Sequence, residues 1–368
     1  LISDVLQNVL TKKEAFAREP VKDERIIIDY SAPNIAKNMG IHNLRSTIIG
    51  QALCNIYRYL GYEVIGVNHI GDWGTQFGKL IWALEAWSSP QELKEKGIAH
   101  LNEVYVKFHD KADETMEEEA RAWFKRIEEG DSRAMMWWKL FIDISLKDYQ
   151  EIYDRLNISF TETKGESFYI QFLEDTLKTL ENKGLTSYSD GALVVDFKDE
   201  EMPPCLLKKS DGATLYGTRD IAAAMYRLRE YDPSKVLYVV DIAQSLHFRQ
   251  VFRVMQMLDS RNKDVFEHVS FGRLSFPDAT MSTRKGNIVA LREVLDKAHD
   301  KVLSIIEEKN PDLAEKEDVA EKVGIGAIIF GDLAHDRIHN ITFEWDKVLD
   351  FQGETAPYIQ YTIARINS

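Results

Sequence analysis

Five polar residues stand at or near the ends of segments that read as strands: Asp29, Asn34, Tyr216, Asp220 and Gln244. Two carboxylates, a phenol and two amides suit a cationic amino acid, because carboxylate oxygens match the planar fork of a guanidinium. A plainer reading is that Asp220 only favours the start of the TRDIAAAMYRLRE helix. A second group lies where the first strand turns into a helix. A helix that starts at the carboxyl edge of a sheet presents free N–H groups and positive dipole character, which suits a phosphate. Lys37, His42 and Arg45 add donors nearby, although solvated basic residues at an ordinary helix start give the same pattern. The third is ATMSTRKGN (279–287), a polar loop with Arg284 and Lys285 beside two hydroxyls. Adjacent cations neutralise charge building on a polyphosphate; a basic surface loop is the alternative.

These groups need a frame. RIIIDYS (25–31) is a β-branched apolar run ending in turn chemistry, and it reads as a buried strand. Asn43 then serves as a candidate N-cap for a helix with apolar residues at Leu44, Ile48, Ile49, Ala52, Leu53, Ile56 and Leu60, and Gly61 as its stop. EVIGVNHI (63–70) follows as a second strand, which makes a βαβ unit and hence a parallel sheet. From about 85 to 185 charged helices dominate, including 113–129 and a helix carrying Met135, Met136, Trp137, Trp138 and Leu140, whose aromatics read as core. β structure resumes at GALVVDF (191–197). A second half follows, with strand KVLYVVDI (235–242), helix 246–258 and strand HVSFGRL (268–274). A helical segment runs from about 292 to 336, and TAPYIQYTIARINS again has helical spacing. Gly324 and Gly326 lie in a helical run with no strand before them, so this GxG is discounted as a dinucleotide site. The pattern predicts an α/β fold with a split, doubly wound parallel sheet and its ligand at the carboxyl ends of the strands.

The 368 residues suggest two or three structural units. Net charge is −14 and pI about 5.2. That argues against a general nucleic-acid binder, which needs a basic patch, while leaving room for an enzyme that holds RNA at one local surface. No apolar run approaches the roughly 18 residues of a membrane span, and no signal-peptide core is present. Cys54 and Cys205 sit among apolar neighbours without a CxxC partner, as reduced thiols of a cytoplasmic protein would. No Cys/His cluster has zinc spacing, so no protein-bound metal is expected. The first residue is not Met, which suggests a fragment.

At the level of motifs, the chain resembles one family, the class I arginyl-tRNA synthetases. The resemblance runs through IDYSAPNIAK (28–37) with LRSTIIG (44–50), GDWGTQFG (71–78), SDGATLYGTRDIAAAMYR (210–227), QSLHF (244–248), MSTRKG (281–286) and ETAPYIQYTIARI (354–366). It spans nearly all of the sequence, in order. It implies a split Rossmann-like catalytic domain at 1–84 and 191–290, interrupted by a mainly helical connective insertion at 85–190. A helical stem at 291–350 and the start of an anticodon-binding helical domain at 351–368 would follow. The implied reaction is ATP-dependent activation of arginine to arginyl-adenylate, then transfer to tRNA(Arg), with Mg²⁺ accompanying ATP. A cytoplasmic, monomeric enzyme without membrane association goes with it.

By resemblance, Asn34 and Gln244 hold the α-amino and carboxylate end of arginine, and Asp29, Tyr216 and Asp220 face the guanidinium. Lys37 and His247 lie near the reacting groups, and Met281, Ser282, Arg284 and Lys285 close over the phosphates. The family pattern between Lys37 and Leu44 is x-x-His-x-Gly-His, whereas this chain has Gly40, Ile41, His42 and Asn43 at its last four places. The expected histidines donate to ATP phosphates, and the expected glycine leaves room for adenine. Gly40, His42 and Asn43 are therefore the expected ATP-binding positions, together with His247 and Met281. His42 either fills the adenine space or reaches the phosphates from its new place. Two other outcomes stay open: a catalytically impaired relative that binds arginine as a regulatory module, and a nucleotidyl-transfer enzyme that uses arginine for another product. The family's N-terminal tRNA-binding domain and most of its anticodon-binding bundle are not in this stretch, as expected of either a trimmed piece or a naturally truncated relative.

Overall fold

A computed structural model describes residues 2–197, 200–275, 289–350 and 353–367. Among these residues the central sheet has five strands, in the order Glu162–Thr163, Glu63–Asn68, Arg25–Asp29, Lys235–Asp241, Phe266–Phe271, and every pairing is parallel. The expected split α/β sheet is thus present, with its two halves joined where Arg25–Asp29 pairs with Lys235–Asp241. Both faces are covered, which is why the strands read as continuous apolar runs. Ile26 and Ile28 pack with Leu44 and Ile48 on one side. Ile27 packs with Ile221, Ala224, Val251 and Met255 on the other.

The first crossover helix spans Ile41–Tyr59, so it starts earlier than the expected Asn43 cap. Gly40 is the N-cap, and Asn43 sits in the first turn, where its side-chain oxygen accepts from the Gly40 N–H at 3.2 Å. The reason is that a short amide one turn in reaches back to an orphan backbone donor. Gly50 lets this helix press onto the strand, since a Cβ there would lie 2.2 Å from Tyr30. Gly61, at φ +86°, ends it as expected.

The insertion contributes helices Pro90–Lys111, Glu114–Glu128 and Ser132–Leu156, which pack on helix Gln76–Trp87, with Trp137, Phe141 and Phe108 fully buried. It is not wholly helical: it also adds a strand to the central sheet. Glu162–Thr163 returns to pair with Val67 and Asn68, a two-residue strand too short to show a period. Strands Thr186–Ser189, Ala192–Val195 and Cys205–Lys208 form a separate antiparallel sheet. The expected strand 268–274 divides into Phe266–Phe271 in the main sheet and Leu274–Ser275, which pairs with Ile341–Thr342. The segment expected as helical at 292–336 is two helices, Leu291–Lys309 and Lys316–Leu333, broken around Pro311. Gly324 packs on the Ala298 carbonyl and Gly326 against Gln360, so this GxG serves helix packing.

Candidate active site

Loops from the carboxyl ends of Arg25–Asp29, Glu63–Asn68 and Lys235–Asp241 meet at one edge of the sheet, the edge at which open parallel sheets bind ligands. The first of them is strained. Ser31, Ala32 and Ala36 all have left-handed backbone, at φ 70°, 47° and 64°, at about 1–3 kcal/mol each. Neighbouring elements hold it there. The Ser31 N–H donates to Ser46 Oγ (2.9 Å), that of Ala32 to Asn68 Oδ1 (3.2 Å) and that of Ala36 to Ser145 Oγ (2.9 Å). The Tyr149 hydroxyl lies 2.7 and 2.6 Å from the carbonyls of Asn34 and Lys37. Ser145 and Tyr149 belong to the insertion, which therefore shapes the site. Asn34 bridges to Gly71, and a Cβ on Gly71 would stand 2.1 Å from Asn34 Oδ1, so only glycine leaves that amide in place.

This loop leads into the N-terminus of the Ile41–Tyr59 helix. His42 is exposed in its first turn, Asn43 is half-buried, and the Lys37 ammonium lies 5.5 Å from the Tyr105 ring. Crowding, and then the nearby Lys37 charge, lower the pKa of His42. The chain returns here after the polar loop: the Ile41 N–H donates to the Val289 carbonyl (3.2 Å) and that of Leu291 to Met39 (2.7 Å). Met281, Ser282, Arg284 and Lys285 lie outside the described residues. Arg45 is not a phosphate donor, as its place in the sequence suggested. It is 1% exposed, its Nη1 donates to the carbonyls of Gly272 (2.7 Å) and His339 (3.0 Å), and its Nε lies 2.7 Å from Asp332. It faces inward, so it cross-links the helix to the C-terminal region instead.

On the other side of the edge, helix Tyr216–Tyr231 begins at Tyr216, so Asp220 stands a full turn inside it and is not its initiator. Residues i and i+4 share a helix face. His247 sits against both, with Nε2 2.6 Å from Asp220 Oδ2 and its ring 4.8 Å from that of Tyr216. Gln244 is exposed at the start of helix Ser245–Leu258.

Asp29 has a different partner from the one expected. It is 5% exposed, and Oδ2 is held at 2.6 Å by Nη2 of the equally buried Arg227, which also lies 3.2 Å from His69 Nδ1. Burial alone would raise the Asp29 pKa; Arg227, helped by His69, reverses this and holds the carboxyl below its ordinary value. The chain's own guanidinium therefore takes the position expected for a ligand's.

One carboxylate escaped the sequence reading. Glu166 follows the Glu162–Thr163 strand, and its Oε2 lies 2.9 Å from Arg219 Nε. Burial, opposed by Arg219 and His69 and reinforced by the negative charges of Asp220 and Asp72, raises its pKa. Its neighbour Ser167 is bound by Asp72, and a Cβ on Gly165 would meet the Asp72 carboxyl at 2.2 Å. Periodicity gives no sign of Glu166; the available signal was GDWGTQFG, whose Asp72 had no assigned role.

Asp220, Glu166 and the Tyr216 ring, at the same sheet edge as a helix N-terminus, suit a cationic ligand next to a phosphate. Comparison with known proteins agrees. Residues 5–345 match the family described as tRNA synthetases class I (R), catalytic domain. Arginine–tRNA ligase 1 of Bacillus cereus is 49% identical over 368 residues, covering 99% of this chain and 66% of the relative. Arginine–tRNA ligase of an Exiguobacterium species is 47% identical over 367 residues, with the same two coverages. The chain thus spans just under two thirds of these relatives. Among solved structures, arginyl-tRNA synthetase from Plasmodium falciparum superposes with TM-score 0.81 at 27% identity, covering 94% of this chain and 58% of that one. The Thermus thermophilus arginyl-tRNA synthetase gives TM-score 0.77 at 23% identity, covering 99% of this chain and 66% of that one, a likeness of fold.

Proposed function

The chain belongs to the arginine-type class I tRNA synthetase family through a catalytic-domain match over residues 5–345, and from that premise we propose that it is the catalytic part of an arginine–tRNA ligase. The arginine carboxylate attacks the α-phosphate of ATP, pyrophosphate leaves, and arginyl-adenylate forms. A hydroxyl at the tRNA(Arg) 3′ end then attacks the arginyl carbonyl and AMP leaves. Such catalysis is positioning and charge stabilisation, without a covalent enzyme intermediate.

The observation that carries this reading is the meeting of Tyr216, Asp220 and His247 at the carboxyl edge, with Glu166 tied to the same helix by its ion pair with Arg219, the residue before Asp220. In this proposal Asp220 and Glu166 face the guanidinium and Tyr216 flanks it. Asn34 and Gln244 hold the α-amino and carboxylate end, and His247 orients Asp220. Lys37, His42 and Asn43 meet the phosphates at the helix N-terminus with Gly40 as its cap, and Met281, Ser282, Arg284 and Lys285 complete that contact. Among the described residues no group of three or more His, Cys, Asp or Glu is placed to hold a metal ion. In this proposal Mg²⁺ would accompany ATP on its phosphates. The reading divides the chain at 1–84, 85–190, 191–290, 291–350 and 351–368, and makes it a cytoplasmic monomer. Among the described residues no helix is long and apolar enough to cross a membrane.

Arginylation of bulk tRNA by the full-length protein is the test. Product that depends on ATP, arginine and tRNA together is the expected result. Arginine binding without any arginylation would defeat the ligase reading.

A further inference from the structure

We infer that Asp72 is a positioning residue for the guanidinium seat: its buried carboxylate clamps the Gly165–Glu166–Ser167 turn and so sets Glu166 in register with Asp220. This rests on the proposed role of Glu166 and Asp220 and adds the device that holds them together.

Asp72 is 3% exposed, and among the described residues no Lys or Arg forms an ion pair with it. A buried carboxylate without a cation is costly unless its oxygens are hydrogen-bonded. Both oxygens of Asp72 are used on a single residue. Oδ1 accepts from the Ser167 N–H at 2.9 Å and Oδ2 from the Ser167 hydroxyl at 2.6 Å. Its own carbonyl accepts from Trp138 Nε1 at 2.8 Å, which ties the clamp to the insertion. The Glu166 N–H donates to the Ile70 carbonyl at 3.1 Å, so the two turns are joined on either side of the acid. Gly165 completes the fit, because any side chain there would displace the carboxylate.

The clamp has a purpose because Glu166 and Asp220 repel each other and sit on separate elements. Glu166 follows the edge strand and Asp220 lies in helix Tyr216–Tyr231; the Arg219–Glu166 pair at 2.9 Å links the two at the side-chain end, and the Asp72 clamp holds the backbone end of that link. A guanidinium presents donors in a rigid fork, whereas an ammonium is a compact point charge that adapts to looser acceptors. Fixing the spacing of the two carboxylates therefore selects arginine over lysine, and loosening it costs arginine more than lysine. GDWGTQFG thereby acquires a role: Gly71 makes room for Asn34, and Asp72 sets Glu166.

The test is a double-mutant cycle between Asp72→Ala and Glu166→Gln on the 368-residue chain, with arginine and lysine binding read by calorimetry and folding by circular dichroism. Asp72→Ala should weaken arginine about tenfold and lysine about twofold or less. In the Glu166→Gln background it should have almost no further effect, because it acts through Glu166. Asp72→Asn, which keeps one acceptor for the Ser167 N–H, should recover most of the loss. If Asp72→Ala does not fold, Ser167→Ala takes its place, with a smaller loss, about threefold, that also vanishes beside Glu166→Gln. Losses that multiply in the double variant, or equal losses for arginine and lysine, would overturn the inference. A parent chain that binds arginine no better than lysine would instead overturn the guanidinium reading beneath it.

Discussion

Nη2 of Arg227 lies 2.6 Å from Oδ2 of Asp29, both side chains almost completely buried, so the strand-end carboxylate that looks most suited to a substrate guanidinium is neutralised from within. The pair is part of the core beneath the pocket. Asp29→Ala should cost about 3–5 kcal/mol, because it leaves a buried guanidinium uncompensated; urea denaturation measures this. The Asp29 pKa is held below its ordinary value of 3.8, so its contribution is fully present above that value and is lost as pH falls through the depressed one. The stability gap between the parent and Asp29→Asn should persist at pH 5 and close only as pH falls below 3.8.

Asp220 should behave differently. It is partly exposed and bonded to His247, so its removal leaves no deeply buried charge. Asp220→Ala should leave stability within about 1 kcal/mol and weaken arginine by about 2–4 kcal/mol. Calorimetry with arginine is decisive, and unchanged affinity would take Asp220 out of the pocket.

Gly71→Ala offers a test of the other end of the ligand. The added methyl would stand 2.1 Å from Asn34 Oδ1 and 3.2 Å from its Cγ, with the Asn34 Cα at an ordinary contact distance of 3.4 Å, so the side chain must swing away while the backbone can stay. Near-parent stability with an arginine KM raised about tenfold is expected. A large drop in stability without a change in KM would show that Gly71 serves the backbone alone.

For the phosphate end, His42→Ala should weaken ATP about tenfold, in line with a hydrogen bond to a charged acceptor. Because the His42 pKa is lowered, the imidazole is neutral at pH 7.5 in the free protein. ATP favours its charged form, so parent affinity should rise as pH falls from 7.5 toward 6, and His42→Gln should lack that rise. If His42→Ala instead binds ATP more tightly, the imidazole is an obstruction in the adenine space.

Long periodic segments were legible in the sequence because burial repeats along them. Strand Arg25–Asp29, helix Ile41–Tyr59 and strand Lys235–Asp241 each show an apolar pattern that a neighbour must cover. Tyr216 and Asp220 were picked out by residue type and by the resemblance, but that they share one helix face emerged only with the helix starting at Tyr216. What escaped reading depends on contacts distant in sequence. Arg45 and His42 are both basic and three residues apart, yet one is buried on Asp332 and the other faces solvent. No local rule separates them; the partner that decides lies 287 positions away, as 332 less 45. Asp29 turns inward because of Arg227, and Glu166 reaches the pocket only because a two-residue strand returns to the sheet edge.

The split of the sheet also orders events in time. Residues 34, 72, 166, 220 and 247 converge on one edge, so synthesis from the N-terminus supplies the pocket in instalments. At about 5–20 residues per second, roughly 10–40 s separate the first of these residues from the last. Until Lys235–Asp241 emerges, Arg25–Asp29 has an unpaired flank, and the left-handed turn that follows it waits for Ser145 and Tyr149. Such non-local pairing slows folding and leaves a nascent chain with an open strand edge on the ribosome. The substrate site cannot exist before residue 247 has been made, so a ligand that binds it can stabilise the chain only after the two halves of the sheet have joined.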